Sequence, residues 1–164
     1  KMHGGSPDGY SAPLLEPYSD RPDYSGPEIF PYKVRLEATM RAAKLGYNIH
    51  THVMGDRATR EALDAFEAVR KAGYDKVRLS TGHSAMIHPD DQPRFVELNV
   101  TCNTYGSKNA VPNETTTSRI GEERLKYWMP NQSLAKLGTR LSMSADAPTA
   151  PLDPFEQMDV IILR

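Results

Sequence analysis

A chain of 164 residues can bury one ordinary core, with roughly two-thirds of its unfolded surface removed from water, but it is too short for a complete barrel of eight strand–helix units, which takes about 250. Its 20 basic and 21 acidic residues leave a net charge of −1, so no long-range field gathers nucleic acid or an anionic membrane, and neither is expected as a partner. The single Cys102 excludes an internal disulfide, which fits a reducing compartment and favours the cytoplasm without excluding an oxidising one.

No run of eighteen apolar residues occurs, and the opening Lys1-Met2-His3-Gly4-Gly5 has no apolar segment of the signal-peptide kind. The chain starts on Lys1 rather than Met and closes on Val160-Ile161-Ile162-Leu163-Arg164. That apolar run reads as an element cut short, and both ends are expected to be artificial.

Residues 4–32 interleave Gly, Pro, Ser, Asp and Tyr without a period of 2 or 3.6, and read as a long loop, functional or disordered. Over residues 34–45 the positions Val34, Leu36, Met40, Ala43 and Leu45 form a helical stripe, stopped by Gly46. A strand is expected at 47–53. Asp56 then stands where an N-cap belongs, and Ala58, Ala62, Ala65, Phe66 and Val69 carry an amphipathic helix to Gly73.

Residues 77–81 are the next strand. His88-Pro89-Asp90-Asp91 opens a further helix, with Pro in its first turn and carboxylates at the positive dipole end. A strand follows at 100–104. Residues 105–129 form a second polar stretch, Asn113 to Arg119 being its most loop-like part. A short helix at 132–137, stopped by Gly138, leads into a strand at 140–145. Strands alternating with helices in this way predict an α/β fold built of βαβ units on a parallel sheet, and no repeat of fixed period is present.

His50 and His52, two apart in a strand, leave the same face about 7 Å apart along the backbone. Such a pair can share a metal, and it can equally be two polar residues on a half-buried strand. Gly55-Asp56-Arg57 adds a tight turn and a carboxylate able to cap the helix while holding a neighbouring imidazole or Arg. His83 ends the next strand. Asp146, inside Ser144-Ala145-Asp146-Ala147-Pro148, ends the last one, where an acidic residue is either a turn former or a site carboxylate. Two imidazoles and a carboxylate at strand C-terminal ends form a plausible ligand set for Zn²⁺ or a similar divalent ion.

Taken in chain order, His52-Val53-Met54-Gly55-Asp56-Arg57-Ala58, Gly82-His83-Ser84, Gly121-Glu122-Glu123-Arg124 and Leu134-Ala135-Lys136-Leu137-Gly138 through Ser144-Ala145-Asp146-Ala147-Pro148 to Asp153-Pro154 resemble the amidohydrolase superfamily. Within it they are similar to the YtcJ-like metal-dependent hydrolases, which include N-substituted formamide deformylases. The resemblance implies a partial (β/α)8 TIM-type barrel, about strands four or five to eight, across residues 1–164. It implies one or two divalent ions, zinc being expected, held by His52 as the strand-five ligand, His83 as the strand-six ligand and Asp146 as the strand-eight ligand and proton acceptor. Lys1, followed by Gly4-Gly5-Ser6-Pro7-Asp8-Gly9, matches the region of the family's carboxylated, metal-bridging Lys, with irregular spacing.

The same resemblance casts Asp56 and Arg57 as supports behind the ligands. His50 is a departure from the family pattern and is either a substrate contact or a polar wall residue. Tyr105, Arg119 and Trp128, in or beside the long polar segment, are substrate walls or surface packing. No other His-x-His occurs, so strands one to three and a C-terminal remainder are expected to be missing. The implied activity is metal-dependent hydrolysis of a C–N bond in a small amide, N-substituted formamide or cyclic amide. The alternative is a non-catalytic half-barrel or scaffold, self-associating or pairing with the missing half.

Overall fold

The computed structural model describes residues 3–105 and 111–162. Among the described residues the α-helices and strands follow in chain order as α1 (Tyr32–Lys44), β1 (Ile49–Val53), α2 (Asp56–Lys71), β2 (Leu79–His83), α3 (Gln92–Glu97), β3 (Val100–Tyr105), α4 (Glu114–Ile120), α5 (Asn131–Leu137), β4 (Leu141–Ser144) and α6 (Pro154–Ile162). All the strands pair in parallel in the order β1-β2-β3-β4, with Ile49 opposite Leu79, Leu79 opposite Val100 and Cys102 opposite Leu141. Sequential parallel strands joined by helices make the expected α/β fold, an open arc of a (β/α)8 barrel.

The two faces of the arc differ as strand alternation requires. Leu79, Val100 and Cys102 point into a core with Leu63, Phe66 and Val69 of α2, Phe95 of α3 and Leu134 of α5. The other face carries His50, Ser80, Asn103 and Ser142, where Asn103 Nδ2 donates to Ser142 Oγ at 3.0 Å and Ser144 Oγ donates to Asn103 Oδ1 at 2.9 Å. This polar face is the inside of the arc.

Several elements depart from the sequence expectation. Most of the stretch from Asn113 to Arg119 is helix rather than loop, α4 running Glu114–Ile120, because the Asn113 side chain accepts from Thr116 N at 2.8 Å and caps it. Asp56 is the first helical residue of α2, not its N-cap, which is Gly55. The helix at 88–97 starts as a 3-10 turn, Pro89–Asp91, before α3. Helix α6 begins at Pro154, six residues before the closing apolar run that reads as an element cut short, and takes in its first residues, 160–162.

The long loop of residues 4–31 is ordered by contacts distant in sequence. Ala12, Leu14 and Tyr18 are buried with Met86, Ile120 and Trp128 in a second cluster over the strand ends. Asp56 Oδ1 accepts from Leu15 N at 2.9 Å, and the Tyr18 hydroxyl donates to Ala12 O at 2.8 Å. Gly55 is required where this loop meets α2, since a β-carbon there would stand 1.9 Å from Pro13 O.

Candidate active site

The C-terminal ends of the strands converge on one cavity of about 280 Å³, bounded by His52, His83, Asp146, Tyr105, Trp128 and Met129 together with Gly5, Ser6, Asp8, Met54, Thr116 and Thr149. In parallel sheets this end carries chemistry, because loops and helix N-termini surround it. Five of the residues singled out in the sequence, His52, His83, Tyr105, Trp128 and Asp146, line this one space.

His52 lies on the inner face of β1 and its ring meets that of His83 edge to face, with centroids 4.5 Å apart. Strand parity alone would put His83 with Leu79 and Thr81 on the helix-packed face. The backbone turns left-handed at His83 (φ 65°) and Ser84 (φ 48°), breaking the alternation and bringing the ring to the mouth. Left-handed geometry at two non-glycine residues costs about 1–3 kcal/mol each. It is held by Ser84 N donating to Val53 O at 3.0 Å and by the Thr81–Ser84 hydroxyl pair at 2.6 Å. The His83 ring also meets Tyr105, 5.5 Å between centroids.

Asp146 follows β4 with φ 52°, so its side chain is set by a turn rather than by the strand. Thr149 N donates to Asp146 O at 2.9 Å and closes that turn. Tyr105 Oη and Thr149 Oγ1 stand 3.1 Å apart, tying β3 to the Asp146 loop. Two imidazoles and a carboxylate are donors suited to a zinc-like divalent cation. Among the described residues, no three His, Cys, Asp or Glu side chains are gathered closely enough to enclose an ion. The donor chemistry suits such an ion, and the contact between the His52 and His83 rings is the part of the set that the structure brings together.

Other candidates stand elsewhere. His50 Nδ1 is 2.8 Å from Ser80 Oγ on the polar inner face, outside the cavity. Gly82 leaves room for it, because a β-carbon there would meet His50 Nε2 at 2.6 Å. Arg119 also lies outside the lining, its guanidinium 3.9 Å from the Tyr10 ring centre and its Nη1 donating to Pro7 O at 3.4 Å; it ties α4 to the first loop. Arg57 donates to Ser25 O and Gly26 O at 3.2 and 3.0 Å. Asp56 holds Leu15 N and Arg57 N, so both residues anchor the first loop behind the mouth. Lys1 lies outside the described residues.

Sequence reasoning did not single out His3, Asp8 and Thr116. Asp8 and Thr116 line the cavity, and Thr116 Oγ1 donates to Asp8 Oδ1 across 108 positions of chain. No local pattern announces a contact of that range. His3 is buried beside Arg35, whose Nη1 lies 2.8 Å from His3 Nδ1 and 2.6 Å from Glu61 Oε2. Arg has only donors, so His3 Nδ1 accepts and the ring is neutral. Burial, then Arg35, then His52 pull its pKa from 6.5 to about 4.

An open parallel βα arc with two imidazoles and a carboxylate at its C-terminal mouth places the chain in the (β/α)8-barrel class of architecture. The sequence profile of the amidohydrolase family matches residues 2–162, and the chain belongs to that family. Its resemblance on Gly55-Asp56-Arg57 and Ser144-Ala145-Asp146 is thereby borne out. The protein LONG AFTER FAR-RED 3 of Arabidopsis thaliana is 27% identical over 162 residues, 98% of this chain and 28% of that protein. The N-substituted formamide deformylase of Arthrobacter pascens is 29% identical over 130 residues, 78% of this chain and 24% of its own length. A crystal structure of an uncharacterized metal-dependent hydrolase from Pyrococcus furiosus superposes with a TM-score of 0.83 at 31% identity, covering 96% of this chain and 32% of that one. The chain thus spans about a quarter to a third of the relatives it matches. Among the described residues no helix is long and apolar enough to cross a membrane.

Proposed function

We propose that this chain contributes the second half of the active site of a metal-dependent hydrolase that cleaves a C–N bond in a small amide, N-substituted formamide or cyclic amide. The observation that carries the reading is the edge-to-face His52–His83 pair, 4.5 Å between centroids, in one cavity with Asp146. A likeness to a formamide deformylase and to a metal-dependent hydrolase structure supports it.

His52 and His83 would hold a divalent ion, zinc, as one or two ions. When bound, such an ion supplies a nucleophile at neutral pH and polarises a scissile carbonyl. The Asp146 carboxylate takes the proton from the attacking water and returns it to the departing nitrogen. Tyr105, Trp128 and Met129 exclude bulk water from the reacting atoms and orient the substrate. The open sides of the sheet at β1 and β4 would pair with further strands, either of the same polypeptide or of a second copy.

The test uses the natural full-length polypeptide with a panel of formamides and cyclic amides. Asp146→Asn is expected to lower turnover by about 10²- to 10⁴-fold with the fold retained. Full activity of Asp146→Asn with metal bound would remove the proton-transfer role. A second reading, a non-catalytic half-barrel scaffold, draws on the lack of an enclosed three-donor group among the described residues. It predicts a folded full-length protein that binds no metal and turns over none of the panel.

A further inference from the structure

One charged group in the cavity is not used by this mechanism. Asp8 lines the same space as His52, His83 and Asp146, yet it comes from the loop side, in a 3-10 turn, Pro7–Gly9, rather than from a strand end. It is held in place twice. The Ser6 hydroxyl accepts from Asp8 N at 3.2 Å and caps the turn, and Asp8 Oδ1 accepts the hydroxyl of Thr116. Thr116 is itself fixed, 3% exposed in the first turn of α4 with its N–H on Asn113. Among the described residues no group hydrogen-bonds the second carboxylate oxygen. Among the described residues no cation lies at ion-pair distance from Asp8. Arg119, which approaches the same turn, is committed to Pro7 O and the Tyr10 ring.

A carboxylate fixed by its surroundings, exposed to a cavity and without a cation among the described residues is suited to receive one from a ligand, because little ordering remains to be done on binding. The neighbouring walls agree with this. Tyr105, Trp128, Met54 and Met129 line the same space, aromatic and thioether residue types that suit an alkylammonium. The cavity of about 280 Å³ is close to the small end of ligand sites, which run from roughly 300 Å³ upward, and has room for an alkylammonium.

We infer that Asp8 is the specificity-determining residue of the site and selects amide substrates that carry an ammonium group a few bonds from the scissile C–N bond. This rests on the hydrolase reading above. Asp8 acts in recognition, reading the charge of the substrate while Asp146 handles the proton.

The natural full-length, metal-loaded protein is assayed with two substrates of near-equal size, N-formyl-1,4-diaminobutane, which is cationic, and N-formylpentylamine, which is neutral. Asp8→Asn keeps an oxygen for the Thr116 hydroxyl but removes the charge. The ratio of kcat/KM for the cationic over the neutral substrate is expected to exceed unity in the wild type and to fall about tenfold in Asp8→Asn. A wild-type ratio of one, or an equal loss on both substrates, overturns the inference and leaves the hydrolase reading intact. Binding of 1,4-diaminobutane, followed by calorimetry, is read without turnover and is expected to weaken about tenfold in Asp8→Asn. If the diamine binds in this Asp8-dependent way and neither these formamides nor any cyclic amide of the panel is hydrolysed, the cation site stands and the hydrolase reading fails. Absence of diamine binding to the wild type overturns the cation site.

Discussion

His3 shows how one buried residue sets an acid limit on the fold. Its ring accepts from Arg35 and so must stay neutral, and burial with the Arg35 and His52 charges lowers its pKa from 6.5 to about 4. An unfolded chain takes up that proton near pH 6.5, whereas the folded one waits until about pH 4. More protons are bound by the unfolded state across this window, so stability rises with pH through it. The contribution is complete above about pH 6.5 and is lost as pH falls to about 4, in all about 3 kcal/mol. Urea unfolding midpoints should fall between pH 7 and pH 4.5, and His3→Gln, which keeps an acceptor for Arg35, should remove His3's share of that slope. An unchanged slope in His3→Gln would mean that other groups carry it.

At the scale of elements, the mouth is built by two irregular segments clasped together. Ser19 N donates to Arg119 O and Ser19 Oγ to Ile120 O, both at 2.8 Å, while Arg124 donates to Glu16 O at 3.1 Å and Pro17 O at 2.9 Å. Arg124→Met should cost about 1–3 kcal/mol by leaving these carbonyls unpaired, and should speed proteolytic cleavage within residues 10–24. Gly55→Ala drives a β-carbon against Pro13 O, 1.9 Å away, and should destabilise by at least about 2 kcal/mol, seen as a lower thermal midpoint. The strands and the helices α1, α2, α3 and α5 were legible in the sequence because their signals are local: apolar period, caps, Gly stops. Helix α4 was not, because Thr115, Thr116 and Thr117 are poor helix formers and the Asn113 cap and the Asp8 contact outweigh them. The order of the first loop was invisible for the same reason, its partners Asp56, Arg119 and Arg124 being far along the chain. His52 and Asp146 could be placed at strand ends by counting, whereas the turning of His83 toward the mouth depends on a left-handed backbone that alternation does not foresee.

Taken as a whole molecule, the arc exposes a polar inner face and two terminal strands, β1 and β4. Leu152 is 76% exposed and Phe155 74%, an apolar surface around the start of α6 that a lone chain leaves in water. Residues 1–164 expressed alone should therefore self-associate at micromolar concentration, and Phe155→Glu should shift sedimentation toward the monomer. An unchanged distribution would show that association, if any, uses the strand edges. The central claim is that His52 and His83 are paired at the mouth to hold a metal. The measurement that tests it most directly is the metal content of the natural full-length polypeptide, by mass spectrometry after exhaustive dialysis, in the wild type and in the double variant His52→Ala, His83→Ala. One or two divalent ions per molecule in the wild type, with a clear loss in the folded double variant, is the predicted result. A folded wild type without metal, or a double variant that keeps all of it, would contradict the account.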